Sequence, residues 1–128
     1  MLKVTCAIII KDQKILICKR SSKMHNGSKW EFPGGKVKDG EDLETCIVRE
    51  IREELNIRVT PKQQLPSFTS GSTIELVPFI CPGYDGQIAL REHAAFTFCA
   101  LVDLNNYDLT APDKLLYNYM MKNPELLG

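Results

Sequence analysis

Apolar residues in the first third of the chain occur in short, nearly continuous runs, the pattern of buried β-strands. Residues 4–10 and 14–18 are aliphatic and rich in β-branched side chains, and residues 11–13 between them predict a hairpin. Residues 19–29 are polar and predict a loop. This loop leads to a further predicted strand, which begins at Trp30 and ends in a tight backbone turn at the glycine pair of residues 34–35.

The second half of the chain adds strands and a terminal helix. Strands are predicted from residue 58 to 60, from 72 to 81 with an interruption at Pro78, and from 94 to 102, with a turn at residues 82–86. In residues 112–122, the spacing of Leu115, Leu116, Tyr119 and Met120 predicts an amphipathic helix. Strands flanking one long helix, with another helix at the end, predict an α/β sandwich.

The long helix is predicted to begin near Asp42, a suitable N-cap, with Glu44 in its first turn. Asn56 can end it in the left-handed conformation. The apolar residues that fall on one face of this helix are Leu43, Cys46, Ile47, Ile51 and Leu55.

Composition restricts the class of protein. The 128 residues fit a single domain, 1–128, and 16 basic residues balance 16 acidic ones, so neither DNA nor a membrane surface is an expected partner. No apolar run is long enough to span a membrane and no signal peptide is recognisable, which predicts a cytoplasmic protein. The five cysteines contain no C-x-x-C pair and are expected to be buried free thiols, while two separated histidines do not predict a zinc site.

Three glutamates conflict with the apolar face of the long helix. Glu50, Glu53 and Glu54 fall inside or at the edge of the apolar arc at about 100° per residue. Carboxylates crowded on a half-buried face repel one another and lose hydration, which is costly unless cations bind there. A set of oxygen ligands favours Mg²⁺, or Mn²⁺, over zinc.

A charged, solvated helix is the alternative explanation of this pattern. In that interpretation the glutamates pair with Arg49, Arg52 and Arg58. The preceding glycine pair and the two predicted helix caps favour the metal site instead.

Together these residues resemble the signature of the Nudix hydrolases, G-x5-E-x7-R-E-U-x-E-E-x-G-U, with U an aliphatic residue. The matching positions are Gly35, Glu41, Arg49, Glu50, Ile51, Glu53, Glu54 and Ile57. The second glycine is replaced by Asn56, the next-best residue for a positive φ, so we expect the box to remain functional.

The resemblance implies a fold, a reaction and roles for the box residues. The fold is an α/β/α sandwich with a mixed β-sheet and a loop-helix-loop catalytic box, and the reaction is hydrolysis of a nucleoside diphosphate linked to another group. Glu50, Glu53, Glu54 and the Gly35 carbonyl are the expected metal ligands, whereas Glu41 and Arg49 are expected to brace them. Glu53 is the first candidate for the base that activates water.

Glu92 is the second candidate for the base, because related enzymes place a glutamate on this loop to bind metal or water. Its alternative role is that of an exposed loop charge.

Residues 19–20 and 30–36 resemble the MutT-like branch of the family, which cleaves nucleoside triphosphates to a monophosphate and pyrophosphate. Arg20 and Lys36 are candidate phosphate contacts, and Phe32 is a candidate contact to the base. Each has a simpler alternative, a solvated charge for Arg20 or Lys36 and a core aromatic for Phe32.

Asp113 occupies the position at which this branch carries a base-reading side chain, often asparagine. An ionised aspartate only accepts hydrogen bonds, which suits the N4 amine of cytosine or a modified purine with added N–H donors. Residues 91–93 also resemble CTP or modified-pyrimidine pyrophosphohydrolases. Alternatively, Asp113 only stabilises the start of the last helix.

The leading functional hypothesis is a Mg²⁺-dependent nucleoside triphosphate pyrophosphohydrolase that removes modified nucleotides such as 8-oxo-dGTP. The alternatives are a CTP or 5-methyl-dCTP pyrophosphohydrolase, a hydrolase of another nucleoside diphosphate derivative, and a catalytically silent nucleotide-binding module. The expected partner is a small nucleotide, and the chain could act as a monomer or a homodimer.

Overall fold

A hairpin begins the chain in the computed structural model, which describes residues 1–71 and 73–128. Strands β1 (Leu2–Lys11) and β2 (Lys14–Lys19) are antiparallel, as predicted. The two residues that connect them, Asp12 and Gln13, have φ of 51° and 64°. Two successive left-handed residues match the right-handed twist of the flanking strands, which explains the tight connection.

The sheet is mixed and contains eight strands within the described residues. After the hairpin come β3 (Trp30–Glu31), β4 (Gly34–Lys36), β5 (Gln63–Gln64), β6 (Phe68–Ser70), β7 (Ile74–Pro82) and β8 (Ala95–Cys99). The order is β3-β2-β1-β7-β5, with β4 also paired to β1, β6 to β7 and β8 to β2. Only the β1–β7 pair is parallel among these pairings.

Helices cover both faces of the sheet. Helix α1 spans Leu43–Leu55 and α2 spans Ala111–Lys122; 3₁₀ helices span Leu101–Asn106 and Pro124–Leu127. Alternate residues of β1 face opposite layers, so Ile8 packs in the same cluster as Leu116 of α2, and Ile9 in the same cluster as Ile51 of α1. The predicted α/β/α sandwich is confirmed. No described helix has both the length and the apolar character needed to cross a membrane.

Both predicted caps of α1 are present. The Asp42 carboxylate accepts a hydrogen bond from the Thr45 N–H at 2.7 Å, and Asn56 adopts φ 60°, ψ 26°. The buried face consists of Cys46, Ile47, Ile51 and Leu55, while Leu43 is half-buried.

The prediction of a tight turn at residues 34–35 was wrong. Gly34 and Gly35 lie in β4, where Gly34 pairs with Cys6 and Gly35 with Thr5. The glycines are required by close approach, because a Cβ on Gly34 would overlap the Thr5 carbonyl oxygen and a Cβ on Gly35 would overlap the Glu50 carboxylate.

Two predicted strands also differ from the structure. Residues 58–60 form no strand; Arg58 makes an isolated bridge to Asp85, and the next strand is β5, after Pro61. The strand predicted over residues 94–102 ends at Cys99, and a 3₁₀ helix begins at Leu101.

Strand β7 runs through Pro78 without the predicted interruption, although the first residue of that prediction, Ser72, lies outside the described residues. The Pro78 carbonyl accepts a hydrogen bond from the Leu65 N–H at 2.9 Å, and Leu65 lies between β5 and β6. The N and C=O of a strand residue face the same side. The position of the missing N–H of Pro78 therefore faces the gap between β5 and β6, and no hydrogen bond to β1 is lost.

The terminal helix is present, but its buried face differs from the predicted one. Asp113, Leu116 and Met120 are buried, whereas Leu115 is 39% exposed. The buried stripe therefore begins with Asp113, one turn before Leu116, and excludes Leu115.

Candidate active site

Helix α1 presents its glutamates to strand β4. Glu50 and Glu54 are half-buried and Glu53 is exposed. The Gly34 N–H donates to Glu54 Oε1 at 3.2 Å, and the absence of a side chain on Gly35 makes room for the Glu50 carboxylate. The Gly35 carbonyl accepts a hydrogen bond from the Thr5 hydroxyl at 3.2 Å. The same carbonyl also accepts a weaker hydrogen bond from the Cys46 thiol at 3.7 Å.

Arg49 joins the carboxylates of the box. Its guanidinium binds both oxygens of Glu41, at 2.7 and 2.9 Å, and NH1 lies 3.0 Å from Glu50 and 3.2 Å from Glu53. It also donates to the Lys36 carbonyl at 3.2 Å. Arg49 therefore connects Glu41 to Glu50 and Glu53, and its bracing role remains a prediction.

Two carboxyl groups of the box differ sharply in their electrostatics. Hydrogen bonds from Arg49, and then from the Lys38 N–H, lower the pKa of Glu41 to about 2. Burial raises the pKa of Glu54 to about 9. The negative charges that add to this increase belong to Glu31, Glu50 and Glu92.

The paired-helix alternative therefore holds only in part. Arg49 compensates Glu41, Glu50 and Glu53, but neither Arg52 nor Arg58 forms an ion pair among the described residues. Within the same residues Glu54 has no cationic partner, and a buried carboxylate without one is strongly disfavoured.

The donor set fits a hard divalent cation. Carboxylate oxygens of Glu50, Glu53 and Glu54 and the Gly35 carbonyl oxygen are the ligand types that Mg²⁺ and Mn²⁺ prefer. In residues 1–71 and 73–128, no three acidic, histidine or cysteine side chains are already gathered around one point. Arg49 lies among these carboxylates, so the side chains must adjust when an ion enters.

A cleft of about 260 Å³ opens beside this cluster. Its lining includes the predicted substrate-binding residues Arg20, Phe32, Lys36 and Asp113, together with Gly35 and Glu54. A larger depression of about 600 Å³ lies on the outer face of α1 and another of about 890 Å³ lies at its start, and neither is lined by any of the predicted substrate-binding residues. The smaller cleft is the better candidate because polar groups from several elements converge on it.

The cleft residues differ in how firmly they are held. Arg20 NH1 lies 2.8 Å from Glu31 Oε1, and Arg20 Nε donates to the His25 carbonyl at 2.8 Å. Phe32 is 3% exposed and belongs to the core while one side of it lines the cleft. Lys36 is exposed and forms no ion pair among the described residues.

Asp113 is brought to the cleft by backbone pairing. The Thr110 N–H donates to the Trp30 carbonyl at 3.0 Å, which places the start of α2 beside β3. Asp113 Oδ2 then accepts from the Thr110 hydroxyl at 2.8 Å and from the Phe32 N–H at 3.3 Å. Burial, followed by the charge of Glu31, raises the pKa of Asp113 to about 8.

This pKa changes the expected chemistry of Asp113. A favourable charge interaction with the helix N-terminus would lower the pKa, whereas burial raises it here. A protonated carboxyl donates as well as accepts, so at neutral pH Asp113 differs from the acceptor-only group predicted above.

Glu92 lies on an exposed loop and raises the pKa of Glu54, so its charge acts on the box. The Arg91 N–H donates to the Glu54 carbonyl at 3.2 Å, and the Arg91 guanidinium donates to Asn56 Oδ1 at 3.2 Å. These contacts tie the Glu92 loop to the end of α1.

Sequence reasoning missed two groups near the cleft, Glu31 and His93. His93 Nε2 lies 2.8 Å from Glu31 Oε2, although 62 residues separate the two. The signals in the sequence were a charged residue at position 31 in a predicted strand and the resemblance of residues 91–93 to related enzymes, and neither indicated that the two residues meet.

Comparison with known proteins identifies the family. The family model for the NUDIX domain matches residues 1–120. The CTP pyrophosphohydrolase of Escherichia coli (strain K12) is 35% identical over 116 residues, covering 88% of this chain and 86% of that protein. The 8-oxo-dGTP diphosphatase of Buchnera aphidicola subsp. Schizaphis graminum is 29% identical over 120 residues, covering 93% and 92%.

A solved MutT structure, from work on Aliivibrio salmonicida and Vibrio cholerae, superposes with a TM-score of 0.83 at 30% identity and covers 95% of this chain and 98% of its own. The chain belongs to the Nudix family and is a Nudix hydrolase with MutT-like relatives. Enzymes of this family generally use divalent metal ions. The fold and family predicted from the sequence are confirmed.

Proposed function

We propose that the protein is a Mg²⁺-dependent pyrophosphohydrolase that cleaves a modified nucleoside triphosphate, such as 8-oxo-dGTP, with water to give a monophosphate and pyrophosphate. One observation carries this proposal. The same cleft is lined by two residues of the candidate metal site, Gly35 and Glu54, and by three candidate nucleotide contacts, Arg20, Lys36 and Asp113. A triphosphate placed along this cleft would have Lys36 and the proposed metal site beside its phosphates and Phe32 and Asp113 beside its base.

The metal cluster supplies the first part of the chemistry. Glu50, Glu53, Glu54 and the Gly35 carbonyl would hold Mg²⁺, which when bound neutralises phosphate charge and lowers the pKa of water. Arg49 keeps Glu50 and Glu53 in place through its contacts at 3.0 and 3.2 Å.

The proton of the attacking water goes to Glu53 in our proposal. The Glu53 side chain is 55% exposed, so solvent reaches it, and Arg49 holds it at the metal cluster. Glu92 is the second candidate, because it is exposed and its charge reaches Glu54.

Cytosine nucleotides are the second candidate substrates, and the 35% identity to a CTP pyrophosphohydrolase supports them. Asp113 is the group expected to discriminate between bases. Its protonated form offers a donor and an acceptor, as the amide of asparagine does, so both base classes find complementary edges.

The test is a panel of 8-oxo-dGTP, dGTP, CTP, dCTP and 5-methyl-dCTP with Mg²⁺, scored for monophosphate and pyrophosphate by chromatography. Preference for 8-oxo-dGTP supports the first candidate, and preference for a cytosine nucleotide supports the second. Cleavage of none of them, with a folded protein, would refute triphosphate hydrolysis and direct the search to other nucleoside diphosphate derivatives.

The variant Glu53→Gln tests the assignment of the base. We expect turnover to fall about 10²-fold or more with the fold unchanged. Near-normal turnover would refute both the base and the metal role of Glu53. Glu92→Gln in the same assay measures the second candidate.

A further inference from the structure

A buried chain of polar side chains leads from the protein interior to the cleft. His93 Nε2 lies 2.8 Å from Glu31 Oε2, and Glu31 Oε1 lies 2.8 Å from Arg20 NH1. In this hydrogen-bonded series the exposed fraction of the side chain increases from 0% for His93 to 15% for Glu31 and 19% for Arg20. The least buried member of the series is therefore Arg20, the candidate phosphate contact.

The sheet holds the backbones of all three residues. Lys19, at the end of β2, pairs with Trp30 on one side and with Ala95 on the other. Arg20 directly follows Lys19, Glu31 directly follows Trp30, and His93 precedes Ala95 by two residues. Their side chains meet at one end of the sheet because the strands fix the distances between them.

Each contact of the chain is specific in its atoms. Glu31 uses one oxygen for Arg20 and the other for His93, so its carboxylate cannot rotate without losing a partner. A carboxylate accepts hydrogen bonds, so His93 Nε2 carries the hydrogen. His93 Nδ1 is buried and has no hydrogen-bond partner among the described residues, which leaves the contact to Glu31 as the one polar contact of the ring there.

Glu31 also lies close to both functional ends of the cleft. Its charge raises the pKa of Glu54 on the metal side and the pKa of Asp113 on the base side. A carboxylate in that position disfavours the ionised forms of its neighbours. This cost is offset if Glu31 holds Arg20 in place, which an apolar residue could not do.

We propose that His93 and Glu31 position Arg20 in the cleft, with His93 locking the Glu31 carboxylate and Glu31 orienting the guanidinium toward the substrate. This inference rests on the proposed function, in which Arg20 contacts the nucleotide. His93 touches no substrate and is a positioning residue. The competing explanation is that His93 only fills space in the interior.

A pair of isosteric substitutions separates these explanations. In His93→Gln the amide nitrogen replaces Nε2 and can still donate to Glu31, whereas in His93→Asn the amide nitrogen replaces Nδ1 and cannot reach it. His93→Leu, which keeps apolar volume, serves if the asparagine variant does not fold. Val59→Ala, at a buried position on the α1 side of the sheet, is the control for loss of stability.

The first measurement needs no substrate. The Arg20 Nε–H, which donates to the His25 carbonyl, is followed by ¹H–¹⁵N NMR and assigned by its loss in Arg20→Lys. We expect this signal to shift or broaden in His93→Asn and to keep its wild-type position in His93→Gln and Val59→Ala. An unchanged signal in His93→Asn, or equal changes in both histidine variants, would overturn the proposal.

The second measurement uses the triphosphate that the panel identifies as the best substrate. We expect His93→Asn to raise KM about tenfold with little change in kcat, and His93→Gln to restore KM. In an Arg20→Ala background, His93→Asn should have no further effect on KM, because the residue it positions is absent. Multiplying effects would overturn the proposal, whereas failure to cleave any triphosphate would refute the proposed function and leave the NMR result as an independent test.

Discussion

Asp113 is a residue whose environment determines its charge. It is 4% exposed, and one of its oxygens accepts hydrogen bonds from both Thr110 and Phe32. These bonds favour the carboxylate, but burial and the nearby charge of Glu31 outweigh them and raise the pKa to about 8. An interior acid that is neutral at pH 7 offers hydrogen-bonding options that its residue type alone does not reveal.

This pKa predicts how stability depends on pH. The folded protein binds a proton at Asp113 up to about pH 8, whereas the unfolded chain loses it near the ordinary value of 3.8. Stability therefore falls as pH rises through this window. Asp113→Asn removes the titration, so relative to wild type it should gain at least about 1 kcal/mol between pH 5 and pH 9.

Urea unfolding of wild type and Asp113→Asn at the two pH values measures this difference. The comparison isolates Asp113 because every other titrating group is present in both proteins. An equal difference in the free energy of unfolding at pH 5 and pH 9 would show that Asp113 is ionised throughout. At pH 7 the same variant in the triphosphate panel should leave the ranking of bases unchanged, because the amide offers one donor and one acceptor as the protonated carboxyl does; a changed ranking would indicate an ionised Asp113.

Strand β4 and helix α1 form the site as a pair of elements. The two glycines of β4 face different neighbours, since a Cβ on Gly34 meets the backbone of β1 and a Cβ on Gly35 meets the end of the Glu50 side chain. Backbone cannot move aside without breaking the sheet, but a carboxylate can rotate. Adjacent, chemically identical residues thus have different tasks.

We expect Gly34→Ala to cost several kcal/mol of stability, because the β1–β4 pairing must separate, with an effect at the upper end for single substitutions. Gly35→Ala should retain most of the stability but lose metal-dependent activity, because Glu50 is displaced. Thermal unfolding and Mn²⁺ titration of the two variants check this contrast. Equal losses of stability would contradict it.

Asn56 links helix α1 to the Glu92 loop, which explains how the departure from the box pattern is accommodated. Its φ of 60° suits glycine better, but its side chain accepts a hydrogen bond from Arg91 that glycine would lack. We expect Asn56→Gly to change stability by less than about 1 kcal/mol and to increase amide exchange in residues 90–93. Hydrogen exchange monitored by mass spectrometry checks this, with unchanged exchange in the loop as the contradicting result.

Local signals predicted the elements that local chemistry determines. The hairpin, the caps of α1 and the half-buried positions of Glu50 and Glu54 follow from turn residues, capping residues and helical spacing. Features that depend on distant partners were predicted wrongly or missed. The strand role of Gly34 depends on Thr5, continuity through Pro78 depends on a gap beside Leu65, and His93 meets Glu31 only after the sheet has formed.

The stability of the whole molecule depends on Glu54, because the carboxylate that would bind a metal ion destabilises the fold when no ion is bound. Glu54 is half-buried beside other carboxylates, and its pKa of about 9 means that ionisation at high pH destabilises the fold. The unfolded chain ionises near the ordinary value of 4.5, so stability declines as pH rises from there to about 9. A bound cation would reverse this effect by favouring the same carboxylate.

The stability of Glu54→Gln relative to wild type should therefore depend on whether Mg²⁺ is present. With EDTA at pH 8.5 it should unfold at a higher temperature than wild type, because Glu54 is ionised in the unfolded chain and must take up a proton or bury its charge on folding, whereas glutamine avoids this cost. Mg²⁺ at 100 times its Kd should stabilise wild type by about 2.7 kcal/mol and the variant much less. Glu44→Gln, an exposed change in the first turn of the same helix, should respond to Mg²⁺ as wild type does. If Glu54→Gln were the less stable protein in EDTA, or gained as much from Mg²⁺ as wild type, Glu54 would be neither the strained carboxylate nor the metal ligand. The measurement in EDTA tests the cost of burying Glu54 without a metal ion, and the measurement in Mg²⁺ tests whether Glu54 binds the ion.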